Sequence, residues 1–150
     1  MSSTYNDVRA AIEGRIATEM ALDPSYPVSY QNVPFTPPNN TPWLQVFIRF
    51  GNNSYATLIG PGTGFNRQTG TLVVDIFTPK GRGASANLTI AERIKDKFDR
   101  AKFSGIIFDP TSGPSSVTAN VIETGVSASS GLVSAYYQTQ LTATFEAYLD

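Results

Sequence analysis

Apolar positions along this chain alternate between two periods. Val8, Ile12, Ile16 and Met20 recur every fourth residue, with Ala11 beside them, which predicts a helix from Thr4 to about Leu22. Thr4 and Asp7 have the spacing of a capping box, with an Asp in place of the usual Glu, and Asp23-Pro24 stops the helix. Tyr26 to Val33 reads as a short extended piece. From Trp43 the period is two: Leu44, Val46, Ile48 and Phe50 alternate with Trp43, Gln45, Phe47 and Arg49. That spacing predicts a strand with one strongly apolar face and one mixed face. Gly51-Asn52-Asn53 reads as a turn, and Ser54 to Ile59 as extended chain. Thr71 to Thr78 is a second strand, with Leu72, Val74 and Ile76 on one face.

Thr89 and Glu92 have capping-box spacing and predict a second helix to about Lys102. Its stripe is Ile90, Ile94, Phe98 and Ala101, and Asp96 with Arg100 is a favourable i,i+4 pair. Ile106-Ile107-Phe108 is a short strand closed by Asp109-Pro110. Thr111 to Ser116 reads as a turn, Val117 to Ser127 as extended, and Leu132 to Leu149 as the last strand. On that strand Tyr137, Leu141, Ala143 and Phe145 oppose Gln138, Gln140, Thr142, Thr144 and Glu146. One buried and one wet face follow.

Between the elements lie three segments without periodicity. Pro34-Phe35-Thr36-Pro37-Pro38-Asn39-Asn40-Thr41-Pro42 runs into Trp43, the only Trp. Each proline fixes its own φ and pushes the preceding residue towards extended geometry, so this segment is a stiff arm. Gly60 to Gly70 and Pro79 to Asn87 are glycine-rich loops. The order of helix, strands, helix, strands predicts an α+β fold. A mainly antiparallel sheet carries two helices on one face, in a single domain spanning residues 1–150. The other face meets water or another subunit.

Composition narrows the chemistry. There is no Cys and no His, so disulfides, thiolate chemistry and Ser-His or Cys-His nucleophilic pairs are excluded. A zinc site would need carboxylates alone, and no metal or cofactor is expected. Glu92, Asp96 and Asp99 are interleaved with Arg93, Lys95, Lys97 and Arg100, which reads as a solvated helix face. Asp75 sits in an apolar strand opposite the Val74 face, a position that suggests a wet or intersubunit surface. Asp109 is a turn former beside Pro110. Gly60-Pro61-Gly62-Thr63-Gly64 lacks the Gly-Lys-Ser/Thr ending of a phosphate loop. A net charge of −1 gives no global field towards nucleic acid or membrane. No apolar run is long enough to span a membrane, and the first residues lack the pattern of a signal peptide. A cytosolic product is expected, in which the Asn-x-Ser/Thr triplets carry no meaning.

Several of these pieces together carry a family resemblance. The opening Val8-Arg9-Ala10-Ala11-Ile12-Glu13-Gly14-Arg15-Ile16-Ala17 leads to Tyr26-Pro27-Val28-Ser29-Tyr30-Gln31-Asn32-Val33-Pro34-Phe35, then Pro37-Pro38 and Trp43-Leu44-Gln45-Val46. This first third resembles the tail-terminator, or tail-completion, proteins of long-tailed bacteriophages. The resemblance implies a structural virion protein without catalytic residues. It implies a ring of six copies at the head–tail junction, assembled in the host cytoplasm, that caps the tail-tube protein and stops its polymerisation. The ring would dock the head-completion or connector protein, while DNA passes through its lumen without specific binding. On that basis Phe35, Pro37, Pro38, Trp43 and Phe47 are candidate subunit-interface residues. Phe65, Arg67, Lys80 and Arg82 are candidates on axial docking loops. Three other readings stay open: a neck or tail-tube protein of similar fold, a tail-associated carbohydrate-binding module, and an enzyme using a carboxylate pair, which would lose activity on changing Asp75 or Asp109.

Overall fold

The computed structural model of the chain describes residues 4–38, 40–56, 65–79, 81, 83–116 and 136–149. Helix α1 spans Tyr5–Met20. Thr4 caps it as the spacing predicts: its hydroxyl accepts from the Asp7 N–H at 3.2 Å, and the Asp7 carboxylate accepts from the Thr4 N–H at 2.9 Å. Strands β1 (Val28–Ser29), β2 (Trp43–Tyr55) and β3 (Asn66–Pro79) follow, then α2 (Ser85–Phe98). Strands β4 (Lys102–Phe103), β5 (Ile106–Phe108), β6 (Ser112–Ser116) and β7 (Tyr136–Leu149) complete the described elements. The architecture is α+β, as the pattern implies.

The strands form one sheet in the order β1-β2-β3-β7-β5-β4, with β6 also on β7. All pairings are antiparallel except the parallel β1–β2 pair. Strand β3 is the axis. It pairs with β2 from Trp43↔Phe77 to Tyr55↔Asn66, and with β7 from Pro79↔Tyr136 to Asn66↔Leu149. Val8, Ile12, Ile16 and Met20 of α1 and Ile90, Ile94 and Phe98 of α2 pack with Leu44, Val46, Ile48, Leu72, Val74, Ile76, Leu141 and Phe145 in one core. Both helices therefore lie on one face. Burial of these aliphatic and aromatic side chains contributes about 1.5–3 kcal/mol each, the main stabilisation available to a chain of this size.

The helices are tied together at their C-terminal ends. The last turn of α1 contains no basic residue of its own. Arg93 of α2 supplies the cation instead, donating to the carbonyls of Glu19 at 2.6 Å and Pro24 at 2.7 Å and lying 3.5 Å from the Glu19 carboxylate. In return, Arg15 of α1 donates to the Lys97 carbonyl of α2 at 2.7 Å, its guanidinium over the Phe103 ring. Each arginine donates to a carbonyl in the last turn of the other helix, Glu19 for Arg93 and Lys97 for Arg15, where intrahelical donors run out.

Several local expectations are corrected. Helix α2 begins four residues before Thr89, at Ser85, after Ala84, which supplies no side-chain cap. The Thr89 hydroxyl instead bonds back to the Ser85 carbonyl, as a hydroxyl within a helix can. Helix α2 also ends earlier, so Ala101 lies outside it. Arg100 follows its C-cap with φ 54°, and no Asp96–Arg100 ion pair forms. Gly51-Asn52-Asn53 is a bulge inside β2 rather than a turn: the register shifts between Phe50↔Gly70 and Asn53↔Gln68. Side chains of β3 stabilise the bulge, with Gln68 Nε2 donating to the Gly51 carbonyl and the Thr69 hydroxyl to the Asn52 carbonyl. The stretch Asn66–Gly70, expected as loop, is therefore strand, and Ser112–Ser116, expected as turn, is edge strand β6. The expected extended segments Val117–Ser127 and Leu132–Ala135 lie outside the described residues.

Gly70 is required where it stands. A Cβ there would lie 2.4 Å from Phe145 Cζ and 2.8 Å from the Arg49 carbonyl, because the Phe145 ring closes over the strand at that point. Past α2, Asp99 accepts from the Thr111 N–H at 2.8 Å and its hydroxyl at 3.3 Å, which holds the approach to β6.

Two outcomes test these ties. Arg93→Ala is expected to lower the unfolding free energy by about 2 kcal/mol in urea titrations, since it removes charge-assisted donors from the Glu19 and Pro24 carbonyls and the tie between the helices. Arg93→Lys should not restore it, because an ammonium cannot span the same carbonyls. The backbone N–H of Thr111 holds the Asp99 carboxyl below its ordinary range, with smaller contributions from the Thr111 hydroxyl, Lys95 and Arg100. A depressed folded value gives stability that is present above the unfolded pKa, about 3.9, and is lost as pH falls through the folded value. Asp99→Ala should thus show a constant deficit in urea midpoint from pH 5 to 8 that closes below about pH 4.

Candidate functional site: the face opposite the helices

The second face of the sheet follows directly from the register. Reading across β2, β3 and β7, its rows are Trp43–Phe77–Gln138, Gln45–Asp75–Gln140, Phe47–Val73–Thr142 and Arg49–Thr71–Thr144. The face changes character along its length: aromatic at one end, then amide and carboxylate, then charged and hydroxylic.

The aromatic end is a second small core. Trp43 stacks on Phe77 with centroids 4.2 Å apart, and Tyr136 meets both rings edge-on. The proline arm folds back over this cluster. Phe35 lies on Trp43 at 5.2 Å, and the Tyr136 hydroxyl donates to the Pro38 carbonyl at 2.8 Å. Trp43 keeps 8% of its exposure, while Phe35, Pro37, Pro38 and Phe47 are half-buried. The five candidate interface residues thus share one face, but Trp43 is covered within its own subunit and its indole N–H is sealed without a partner. What stays partly exposed at this end is the outer side of the arm, with Phe47.

In the next row Gln140 Nε2 donates to Asp75 Oδ1 at 3.0 Å. Asp75 is 6% exposed, so of the wet or intersubunit surface expected for it the wet reading is corrected: the side chain is largely buried among those of the face. Further along, Arg49, Thr69, Thr71, Asp109, Thr144 and Glu146 line a shallow concavity of about 420 Å³. There the Thr144 hydroxyl donates to Asp109 Oδ2 at 3.0 Å. Asp75 and Asp109 are held by different rows and are each bonded to a neutral side chain, which is not the arrangement of a carboxylate pair sharing a substrate. Among the described residues no group of three or more Asp or Glu could hold a metal ion.

The far end of the sheet carries the exposed aromatics. Tyr55 is 78% exposed, with Phe65 and Tyr148 also on the surface. Arg67 pairs in register with Tyr148 and lies 3.5 Å from Glu146. Phe65 and Arg67, both candidates for axial docking, therefore sit where β3 starts. Lys80 and Arg82 lie outside the described residues. Tyr55 and Tyr148 complete this end, yet only the bulge in β2 and the length of β3 reveal their proximity, and neither follows from periodicity. On the helix side, a groove of about 620 Å³ lies between the end of α1 and β1, lined by Met20, Tyr26, Val28 and Tyr30. Burial, and then the Glu13 carboxylate, push the Tyr30 hydroxyl above its ordinary pKa.

The arm's attachment has a measurable strength. Phe35→Ala is expected to destabilise the fold by roughly 1–2 kcal/mol, the value of a half-buried ring in an aromatic pair, with the circular dichroism of the native state unchanged.

No helix among the described residues is long and apolar enough to cross a membrane. A solved protein structure superposes on 97% of this chain and 96% of its own with a TM-score of 0.67 at 19% identity, which establishes a shared fold. No curated protein matches the sequence. Residues 7–103, from the first turn of α1 through β4, match the family of phage tail terminator proteins. Together with the fold, that match places this chain in the phage tail terminator family, a family of structural tail proteins.

Proposed function

We propose that this protein is a single-domain subunit of a ring, of six copies, that caps the head-proximal end of the tail tube. The ring ends tube polymerisation and offers its other side to the head-completion or connector protein, and DNA passes through its lumen without specific binding. Subunits assemble in the host cytoplasm and reside at the head–tail junction of the virion. The observation that carries this reading is the family match over residues 7–103.

The geometry supports it in three ways. Both helices cover one face, so the opposite face and the outer strands remain to meet neighbours. A closed ring needs heterologous patches on opposite sides of the subunit, and the described sheet ends in different strands, β1 and β4. The end that bears Tyr55, Phe65, Arg67 and Tyr148 has the Tyr/Phe/Arg composition of interface anchors and suits axial docking.

A tail-tube or neck protein of similar fold is the second reading. Electron microscopy separates them, since a tube subunit polymerises without limit and a terminator stops at one ring. A carbohydrate-binding platform has less support. The only Trp lies under Phe35 and cannot stack on a sugar.

The Phe65→Ser, Arg67→Glu double variant tests axial docking. Arg67 is half-exposed and its ion pair with Glu146 is long, so the folded state should change by less than about 1 kcal/mol from that position. Tails assembled with the variant are expected to be over-long or unjoined to heads. Normal-length tails on filled heads would remove the docking assignment.

A further inference from the structure

Asp75 is the buried charge that the fold leaves incompletely paired. It lies on the central strand and keeps 6% of its exposure. Its Oδ1 accepts from Gln140, while among the described residues Oδ2 accepts no hydrogen bond and is not one of the sealed polar atoms, so it is the oxygen still open to the outside. No Lys or Arg pairs with it among the described residues. Burying a carboxylate with a single neutral donor is costly, and a charge so placed is normally matched by a cation.

The surroundings define what would match it. Gln45 and Gln140 flank Asp75 in its row. The adjoining rows present Trp43 and Phe77 on one side and Phe47 on the other, about 7 Å away along the strand. A carboxylate oxygen between amide side chains, beside the half-buried Phe47 ring, suits a guanidinium or ammonium group: the acid supplies charge, the amide oxygens accept N–H groups, and the Phe47 ring favours a cation.

We infer that the Gln45–Asp75–Gln140 row is a receptor for a basic side chain of a second copy of this chain. The inference rests on the ring reading. Charge complementarity points to the opposite boundary of the sheet as the donor. There, Arg100 and Lys102, at and beside β4, are exposed and form no salt bridge among the described residues. Asp75 lies on β3, two strands in from the β1 edge, so the contact that reaches it is one in which the β4 boundary of one copy lies over the helix-free face of the next.

The experiment is sedimentation velocity on the full chain across a concentration series, for the parent protein, Asp75→Asn and the Arg100→Gln, Lys102→Gln double variant, with thermal unfolding of each. Rings are expected from the parent. Asp75→Asn should weaken association by about thirtyfold or more, with a Tm unchanged or raised, because the lone buried charge is gone. The double variant should weaken association comparably, also with an unchanged Tm. Rings from either variant at the parent's concentration would overturn the receptor while leaving the ring reading intact. So would an Asp75→Asn chain that fails to associate because its Tm falls, since the carboxylate would then be structural. A parent chain that stays monomeric at every concentration sinks the ring reading, and the occupant of the row with it.

Discussion

Strand β3 is the constraint on which the rest of the structure depends. It is paired on both edges and buried on both faces, so its backbone groups must find partners inside the protein and each side chain is committed to one layer. Where the ladder breaks at the β2 bulge, Gln68 turns its amide to the carbonyls of Gly51 and Thr69 and accepts from the Tyr5 hydroxyl. At the other end Asn87, fully buried in the first turn of α2, donates to the Ile76 and Tyr137 carbonyls and to the Thr139 hydroxyl, pinning the helix across β3 and β7. Polar residues inside this core are thus the fasteners of the central strand rather than a catalytic set.

That arrangement explains how much was legible beforehand. The stripes Val8–Met20 and Ile90–Phe98 and the alternation along Trp43–Phe50, Leu72–Ile76 and Leu141–Phe145 are direct consequences of one buried face, and they placed both helices and the three long strands. What escaped depended on tertiary partners. Gly51-Asn52-Asn53 has the composition of a turn, but it stays in the strand because Gln68 and Thr69 take up its carbonyls. Gly70 looks like a loop residue, yet it is the one residue that fits beneath Phe145. The start of α2 was misplaced because Thr89 and Glu92 mimic a cap while Asn87, one turn earlier, anchors the helix to the sheet.

The candidate surface was partly legible for the same reason. Trp43 and Phe47 share the mixed face that the alternation along β2 predicts, whereas Arg67, expected on a loop, lies in β3 because its ladder with β2 and β7 runs on to Asn66. The burial of Asp75 was not visible, because it comes from neighbours on β2 and β7 that are distant in sequence. The proline arm is similar: its stiffness is written in its prolines, while its resting place depends on Tyr136, nearly a hundred residues away. The face thereby divides into a region closed by the chain's own arm and a region of polar and charged rows that the arm does not cover.

The covering of Trp43 by Phe35 has a spectroscopic consequence. Because the chain has a single indole, all tryptophan emission arises from one point on the helix-free face, stacked on Phe77 and shielded by the arm. Emission wavelength and quencher access therefore report the position of the arm, separately from the state of the helical layer. The molecule carries an internal optical gauge at the place where one side of its sheet passes from the ring cluster under the arm to open polar rows.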